Sequence, residues 1–192
     1  MIITHFFKPL GSLTDDELMQ RVSCKDDDRA FDLLYRRHAR RLMGFFFRQL
    51  DRDEALASDF TQDAFMRVWT ARDKFVGTNF RTWLFTIAYN ICRNHYRSNA
   101  YEAQLLASLD AEPMDSLQIE LELDAALLDK ALAQVLSELP APLHQLFSLH
   151  YQEELTIPQV AEIVGIPEGT VKSRLHKTMN IIRKKLKQYE NK

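Results

Sequence analysis

The amino-acid sequence predicts an all-α protein of two small helical domains joined by a flexible acidic linker. Three observations lead there. Apolar residues recur three and four positions apart through most of the chain, the period of a helix with one buried face. Only 5 residues of 192 are glycine and 6 are proline, too few for a turn-rich β protein or a disordered one. Formal charge also falls in three blocks: residues 1–97 hold 16 Lys/Arg against 13 Asp/Glu, residues 98–138 hold 1 against 9, and residues 139–192 hold 8 against 5. The net charge of −2 therefore conceals two mildly basic blocks around an acidic one. With 46% hydrophobic residues the chain can bury one or two modest cores.

The first domain is expected over residues 1–97. Thr14 as N-cap with Glu17 three positions on forms a capping box that opens a short amphipathic helix. Asp26, Asp27 and Asp28 then precede a long run in which Phe31, Leu34, Tyr35, Leu42, Phe45 and Phe46 share helical spacing and read as core. The acids suit a helix N-terminus and its macrodipole. Gly44 within this run leaves room for close helix packing. A third helix runs from Asp53 to Trp69, with Ala55, Leu56, Phe60, Ala64, Phe65, Val68 and Trp69 on one face and Asp59, Gln62, Asp63 and Arg67 off it. After the loop K-F-V-G-T-N comes a helix, F-R-T-W-L-F-T-I-A-Y-N-I-C-R-N-H-Y-R, set in a window from Lys74 to Tyr101 that contains no acid. Lys74, Arg81, Arg93 and Arg97 interleave there with Phe75, Phe80, Trp83, Phe85, Tyr89, Tyr96 and Tyr101. Trp83, Leu84, Ile87 and Ile91 have core spacing. The mixture of cations and aromatics also describes a surface that stacks unpaired bases and neutralises phosphates.

Residues 98–120 lose periodicity, and Ser98, Asn99, Ser108, Asp110, Pro113, Asp115 and Ser116 mark the linker. The second domain, 121–192, begins within a helical pattern that returns at about Leu117 and runs to Leu139, where Pro140 stops it. Pro142 opens another helix, continuing through His150 and Tyr151. Thr156, Pro158 and Gln159 make a second capping box, ahead of a two-turn helix with Val160, Ala161 and Val164 on its apolar face. Gly165 ends that helix by supplying a positive φ. Pro167 restarts the chain as a helix whose apolar stripe is Val171, Leu175, Met179, Ile182 and Leu186. Two helices across so short a turn make a helix-turn-helix of the kind that reads DNA. On the second of them, Thr170, Ser173, Lys177, Asn180 and Lys184 face away from the stripe, flanked by Lys172, Arg174 and His176. Between Thr170 and Gln188 there are seven Lys/Arg and no acid, whereas a merely solvated face carries mixed signs.

Other chemistries find little support. The two cysteines, Cys24 and Cys92, lack any CxxC spacing and read as reduced cytosolic thiols. Neither Asp26–Asp28 nor Asp51–Glu54 has the glycine and spacing of a calcium loop, and His144 and His150 have no ligand spacing. No nucleophile–base pair or Gly-rich phosphate loop is present, so no catalytic residue, metal or cofactor is expected, and the chain reads as no enzyme. No apolar run approaches the ~18 residues of a membrane span, and MIITHFFKPLGS lacks the basic n-region of a signal peptide. A cytoplasmic location with no membrane insertion of its own is expected.

Two segments carry a more specific resemblance. D-F-T-Q-D-A-F-M-R-V-W, K-F and F-R-T-W-L-F-T-I-A-Y-N-I-C-R-N resemble domain 2 of bacterial extracytoplasmic-function (group IV) sigma factors. E-L-P-x-P and Y-x-x-x-x-T-I-x-Q-V-A-E-I-V-G-I-P-x-G-T-V-K-S-R-L resemble their domain 4, in the same order and spacing. The resemblance implies a factor that binds core RNA polymerase, through the largest subunit's coiled coil and the flap, and directs it to promoters. It implies polymerase contacts at Asp59, Gln62, Asp63 and Arg67. It implies capture and melting of the −10 element by Thr78, Asn79, Phe80, Arg81, Trp83, Tyr89, Asn90, Arg93, Asn94 and Arg97. Thr170, Ser173 and Lys177 would read the −35 major groove, with Lys172, Arg174 and Lys184 on phosphates. His176 stands where related proteins often carry a large apolar or aromatic residue. An anti-sigma factor is a further expected partner. The alternative is a stand-alone helix-turn-helix regulator, which would account for residues 139–192 but leave the acid-free helix at 80–97 without a role.

Overall fold

The computed structural model describes residues 9–76, 79–97 and 125–190, and within these every regular element is helical. The chain divides into two compact units, residues 1–92 and 93–192. The linker at 98–120, and the start of the helical pattern at 117–124, lie outside the described residues.

In the first unit a 3₁₀ turn, Leu10–Ser12, leads into α1 (Asp15–Lys25), α2 (Asp28–Gln49) and α3 (Glu54–Thr70). A second 3₁₀ turn, Arg72–Lys74, precedes α4 (Phe80–Arg97), which begins in the first unit and runs past its boundary at residue 92. The caps form where local chemistry asks for them. Glu17 Oε2 accepts from Thr14 N–H at 2.8 Å while Thr14 Oγ1 accepts from Glu17 N–H at 3.2 Å, the reciprocal capping box. Asp26 closes α1 in the left-handed region, Asp27 caps α2 through Ala30 N–H, and Asp53 caps α3 through Leu56 N–H. The acidic run is thus divided between two helix ends. The core is aromatic: Phe45 packs edge-on against Phe46 and Phe85 at 5.7 and 5.5 Å, and Phe46 meets Phe60 at 5.6 Å. Around these rings Leu18, Met19, Val22, Leu34, Leu42, Leu84 and Ala88 are fully buried.

The buried face of α3 is rotated from the expected one. Ala57 and Thr61 are buried with Ala64, Phe65 and Val68, whereas Ala55 is exposed and Leu56, Phe60 and Trp69 are half-buried. The Thr61 hydroxyl can be buried because it donates back to the Ala57 carbonyl at 2.7 Å. Tyr35, expected in the core, is 40% exposed. Gly44 does not mediate close helix packing: a side chain there would first meet the flexible end of Arg48.

The second unit contains α5 (Ala125–Ser137), α6 (Ala141–Phe147), α7 (Ile157–Val164) and α8 (Glu168–Glu190). Pro140 caps α6, and the helix continues through His150 and Tyr151 as expected, widening into a π turn over Ser148–Gln152. His144 is buried, and His150 Nδ1 lies 2.8 Å from the Leu155 carbonyl. At the start of α7, Gln159 Oε1 accepts from both the amide and the hydroxyl of Thr156, at 2.8 and 2.9 Å. Gly165, at φ 74°, terminates α7, and its amide donates to the Ala161 carbonyl at 2.9 Å. Val171, Leu175, Ile182 and Leu186 are buried as the stripe requires. Ile182 and Leu186 join Val135, Leu136, Leu139 and Phe147 in one cluster, with Met179 at its edge. The all-α expectation and the helix-turn-helix of α7 and α8 both hold.

Candidate nucleic-acid interface

In the helix-turn-helix, burying the stripe of α8 forces its opposite side outward. Lys172, Ser173 and Lys184 are exposed, while Thr170, Arg174, His176 and Lys177 are half-buried. Ser173 Oγ donates to the Thr170 carbonyl at 3.0 Å, so the hydroxyl lies close along the first turns of α8. His176 is within 3.4 Å of Asn180 Nδ2, one turn on. The cations further along are not equivalent. Lys185 is 2.6 Å from Glu138, in the turn just past the end of α5, whose carboxyl this contact, more than the nearby Gln134, holds below its ordinary value. Lys184 and Lys187, by contrast, are exposed. Beyond its first turn α8 therefore carries a row of exposed and half-buried polar and cationic residues without an acid up to Lys187.

In the first unit the start of α4 is built from distant parts of the chain. Asn79 sits at φ 116°, unusual for a residue with a side chain, and its Oδ1 accepts from Thr82 N–H at 3.1 Å. It is thus the N-cap of α4. Asp16 Oδ1, from α1, accepts from Asn79 N–H at 2.9 Å and from Phe80 N–H at 2.6 Å. An open cleft of about 400 Å³ lies here, lined by Asp15, Asp16, Asn79, Phe80 and Arg81. Beside it Asp15 pairs with Arg37 and His38, each at 2.7 Å. The hydrogen bond from His38, and then that from Arg37, pull the Asp15 carboxyl below its ordinary value against the opposing effect of burial.

Along α4 the expected site residues separate by burial. Phe80 is fully buried, its ring 5.3 Å from His38 and 6.3 Å from Phe75, so it is a core residue and not a stacking surface. The reason is its place in the first turn, directly under α2. Trp83 is half-buried, tilted against Phe75 at 5.3 Å. Arg81 lies with its guanidinium 6.0 Å from the Phe85 ring centre. Tyr89 is half-buried, and Asn90, Arg93 and Asn94 are exposed along one side. Thr78 and the side chain of Arg97 lie outside the described residues. The Cys92 thiol is buried and pushed up to about 12, which leaves it unreactive.

The polar side of α3 is open. Asp59, Gln62 and Arg67 are exposed, and Asp63 forms a bidentate pair with Arg67 at 3.0 and 2.9 Å. Sequence reasoning missed what lies next to it. Phe31, Tyr35, Phe65, Met66 and Trp69 line an open groove of about 500 Å³ between α2 and α3, with Gln62 at its rim. Met66 is 64% exposed there. The available signal was Met66, an apolar residue one position from the polar set.

Two family descriptions match the chain: Sigma-70 region 2 over residues 34–101, and Sigma-70, region 4 over residues 129–180. The RNA polymerase sigma-H factor of Pseudomonas aeruginosa is 32% identical over 182 residues, covering 90% of this chain and 93% of that protein. The ECF RNA polymerase sigma-E factor of Haemophilus influenzae is 30% identical, covering 91% and 96%. The solved structure of the sigma factor RpoE bound to the anti-sigma factor NepR, from Bartonella quintana, aligns with a TM-score of 0.61 at 25% identity, over 82% of this chain and 96% of that one. CnrH in complex with the cytosolic domain of CnrY shares the fold, with a TM-score of 0.67 at 23% identity over 91% and 97%.

Proposed function

Because this chain belongs to the extracytoplasmic-function sigma factors of the sigma-70 family, with their role in transcription initiation, we propose how its two units divide that role. The unit spanning α1–α4, taken as residues 1–97, binds core RNA polymerase and captures the opened −10 strand. The helix-turn-helix unit, residues 121–192, reads the −35 duplex through α8.

The observation that carries this reading is the exposed row Asn90, Arg93 and Asn94 on α4, continuing from a cleft at Asn79 and Arg81. A regulator that only reads duplex has no use for it. Opening a base pair costs a few kcal/mol, and stacking an exposed base returns ~1–3 kcal/mol. Trp83 and Tyr89, each half-buried, keep part of a ring available, while the cations engage backbone phosphates. Asn79 uses Oδ1 for the helix cap, which leaves its Nδ2 as the donor for a base edge. In the second unit Thr170, Ser173 and Lys177 lie near the N-terminal part of α8, where side chains reach base edges. Lys172, Arg174 and Lys184 hold phosphates, and His176 borders the reading set.

Asp59, Gln62, Asp63 and Arg67 form the polymerase surface on α3, and the adjoining groove at Tyr35, Met66 and Trp69 gives that surface an apolar centre. The polymerase partners are the coiled coil of its largest subunit for this face and the flap for the second unit. RpoE, bound by NepR, supports an anti-sigma factor as a further partner. No helix among the described residues is long and apolar enough to cross a membrane, and the reading places the protein with the polymerase in the cytoplasm.

Co-purification with core RNA polymerase followed by run-off transcription tests the proposal. The wild-type chain should bind core enzyme and initiate at discrete promoters. Asp63→Arg should do neither while staying folded, because an exposed i,i+4 pair is worth only ~0.3–0.5 kcal/mol. Specific duplex binding without core association would instead mark a stand-alone regulator.

A further inference from the structure

We infer that Asp16, on the first turn of α1, is the positioning residue that holds the −10 capture point of α4 in its working conformation; this rests on the proposed capture of an opened base at Asn79. Asn79 stands at φ 116°, sparsely populated for any residue but glycine, so something must hold it. One carboxylate oxygen does so from both sides. Asp16 Oδ1 accepts from the amide of Asn79 itself at 2.9 Å and from the amide of Phe80, the next residue, at 2.6 Å. The peptide planes flanking the strained Cα are thereby pinned to a single atom.

These amides belong to the start of α4, where N–H groups have no partner within the helix. A carboxylate there gains both from charge-assisted hydrogen bonds and from the helix dipole. The anchor itself is immobilised. The neighbouring Asp15 is tied to Arg37 and His38 of α2, and Arg37 also donates to the carbonyls of Leu13 and Gly11 at 2.9 Å each. The His38 ring rests edge-on against Phe80 at 5.3 Å. Backbone and ring of the residue after Asn79 are therefore held from α1 and α2 respectively. With its backbone amide held by Asp16, Asn79 spends its own Oδ1 on the cap at Thr82, and it lines the cleft. Asp16 touches no nucleotide; it acts through the backbone.

The test uses holoenzyme assembled from the full chain and core RNA polymerase. The probe is a labelled single-stranded oligonucleotide carrying the non-template −10 sequence of a promoter that the holoenzyme transcribes, against a scrambled oligonucleotide. Asp16→Ala should reduce the preference for the −10 strand about tenfold, the order expected for losing charge-assisted hydrogen bonds. It should lower permanganate reactivity of −10 thymines in parallel and leave affinity for core polymerase unchanged. Asp16→Asn, whose amide oxygen can still accept, should restore most of both. In the free protein, amide exchange at Asn79 and Phe80 should accelerate in Asp16→Ala and not in Asp16→Asn. Wild-type strand preference in a folded Asp16→Ala chain would overturn the inference and leave base capture intact. Loss of core affinity in both variants would also overturn it, marking Asp16 as a general prop of the unit. Absence of any strand preference in the wild-type holoenzyme would instead overturn base capture, and the inference with it.

Discussion

A lysine on α8 is informative according to what its neighbours leave it free to do. Lys185 is committed to Glu138, Lys184 is exposed, and Lys177 is half-buried near the residues proposed to read bases. Lys177→Ala should cost ~1–3 kcal/mol of binding at one position of the −35 site. Lys184→Ala should weaken binding to all sequences and reduce the salt slope by about one unit. Electrophoretic titrations over a range of salt, on a set of single-base variants, separate the two; equal losses on every variant would make Lys177 another phosphate contact. Asp15 gives a prediction in pH. Its carboxyl titrates lower in the folded chain than in the unfolded one, chiefly through the His38 hydrogen bond. Its stabilisation is thus complete above the unfolded value of about 3.9 and is lost as pH falls through the lowered folded value. Asp15→Asn should lower the denaturant midpoint at neutral pH and flatten the acid limb of a midpoint-against-pH curve below about pH 4.

Among elements, the turn between α7 and α8 decides whether the reading helix is presented at all. Gly165 and Gly169 both have open space where a side chain would start, and they differ only in backbone. At φ 74°, Gly165→Ala should destabilise the second unit by ~1–2 kcal/mol. Gly169 lies in the first turn of α8, and Gly169→Ala should be neutral or stabilise by up to ~1 kcal/mol. Chemical denaturation of the two variants gives the comparison. A loss of similar size at both positions would show that volume, not φ, sets the cost. The caps at Thr14 and Thr156 were legible in the sequence because each is completed within three residues. The orientation of α3 was not. Nine apolar side chains on a 17-residue helix define more than one plausible face, and the neighbour α2 selected Ala57 and Thr61 over Ala55.

At the scale of the molecule, each unit carries its own core: the Phe45–Phe46–Phe85 cluster in the first, and Val135, Leu139, Ile182 and Leu186 in the second. Separately expressed fragments 1–97 and 121–192 should therefore each unfold cooperatively, the first retaining core polymerase binding and the second retaining weak −35 binding. Joined, they gain from effective concentration on one promoter. Thermal unfolding and pull-down of the fragments would check it, and an unfolded 1–97 fragment would contradict it.

The sequence by itself determined what is periodic or local. That covers the all-α class, the helix starts, the stop at Gly165 and the buried stripe and cationic row of α8, because 3.6-residue spacing and caps act within a few residues. The same reasoning reached the polar residues of α3, whereas those of α4 came from the family resemblance. Tertiary structure alone decided which aromatics stay available: Phe80 went inside, and Tyr35 and Met66 came out to line a groove. It also joined Asp16 to Asn79 across 63 positions, a pairing no local signal records. An isolated aspartate in a first turn satisfies the helix dipole wherever it stands. Only the packing of α1 against α2 brings that carboxylate to the start of α4.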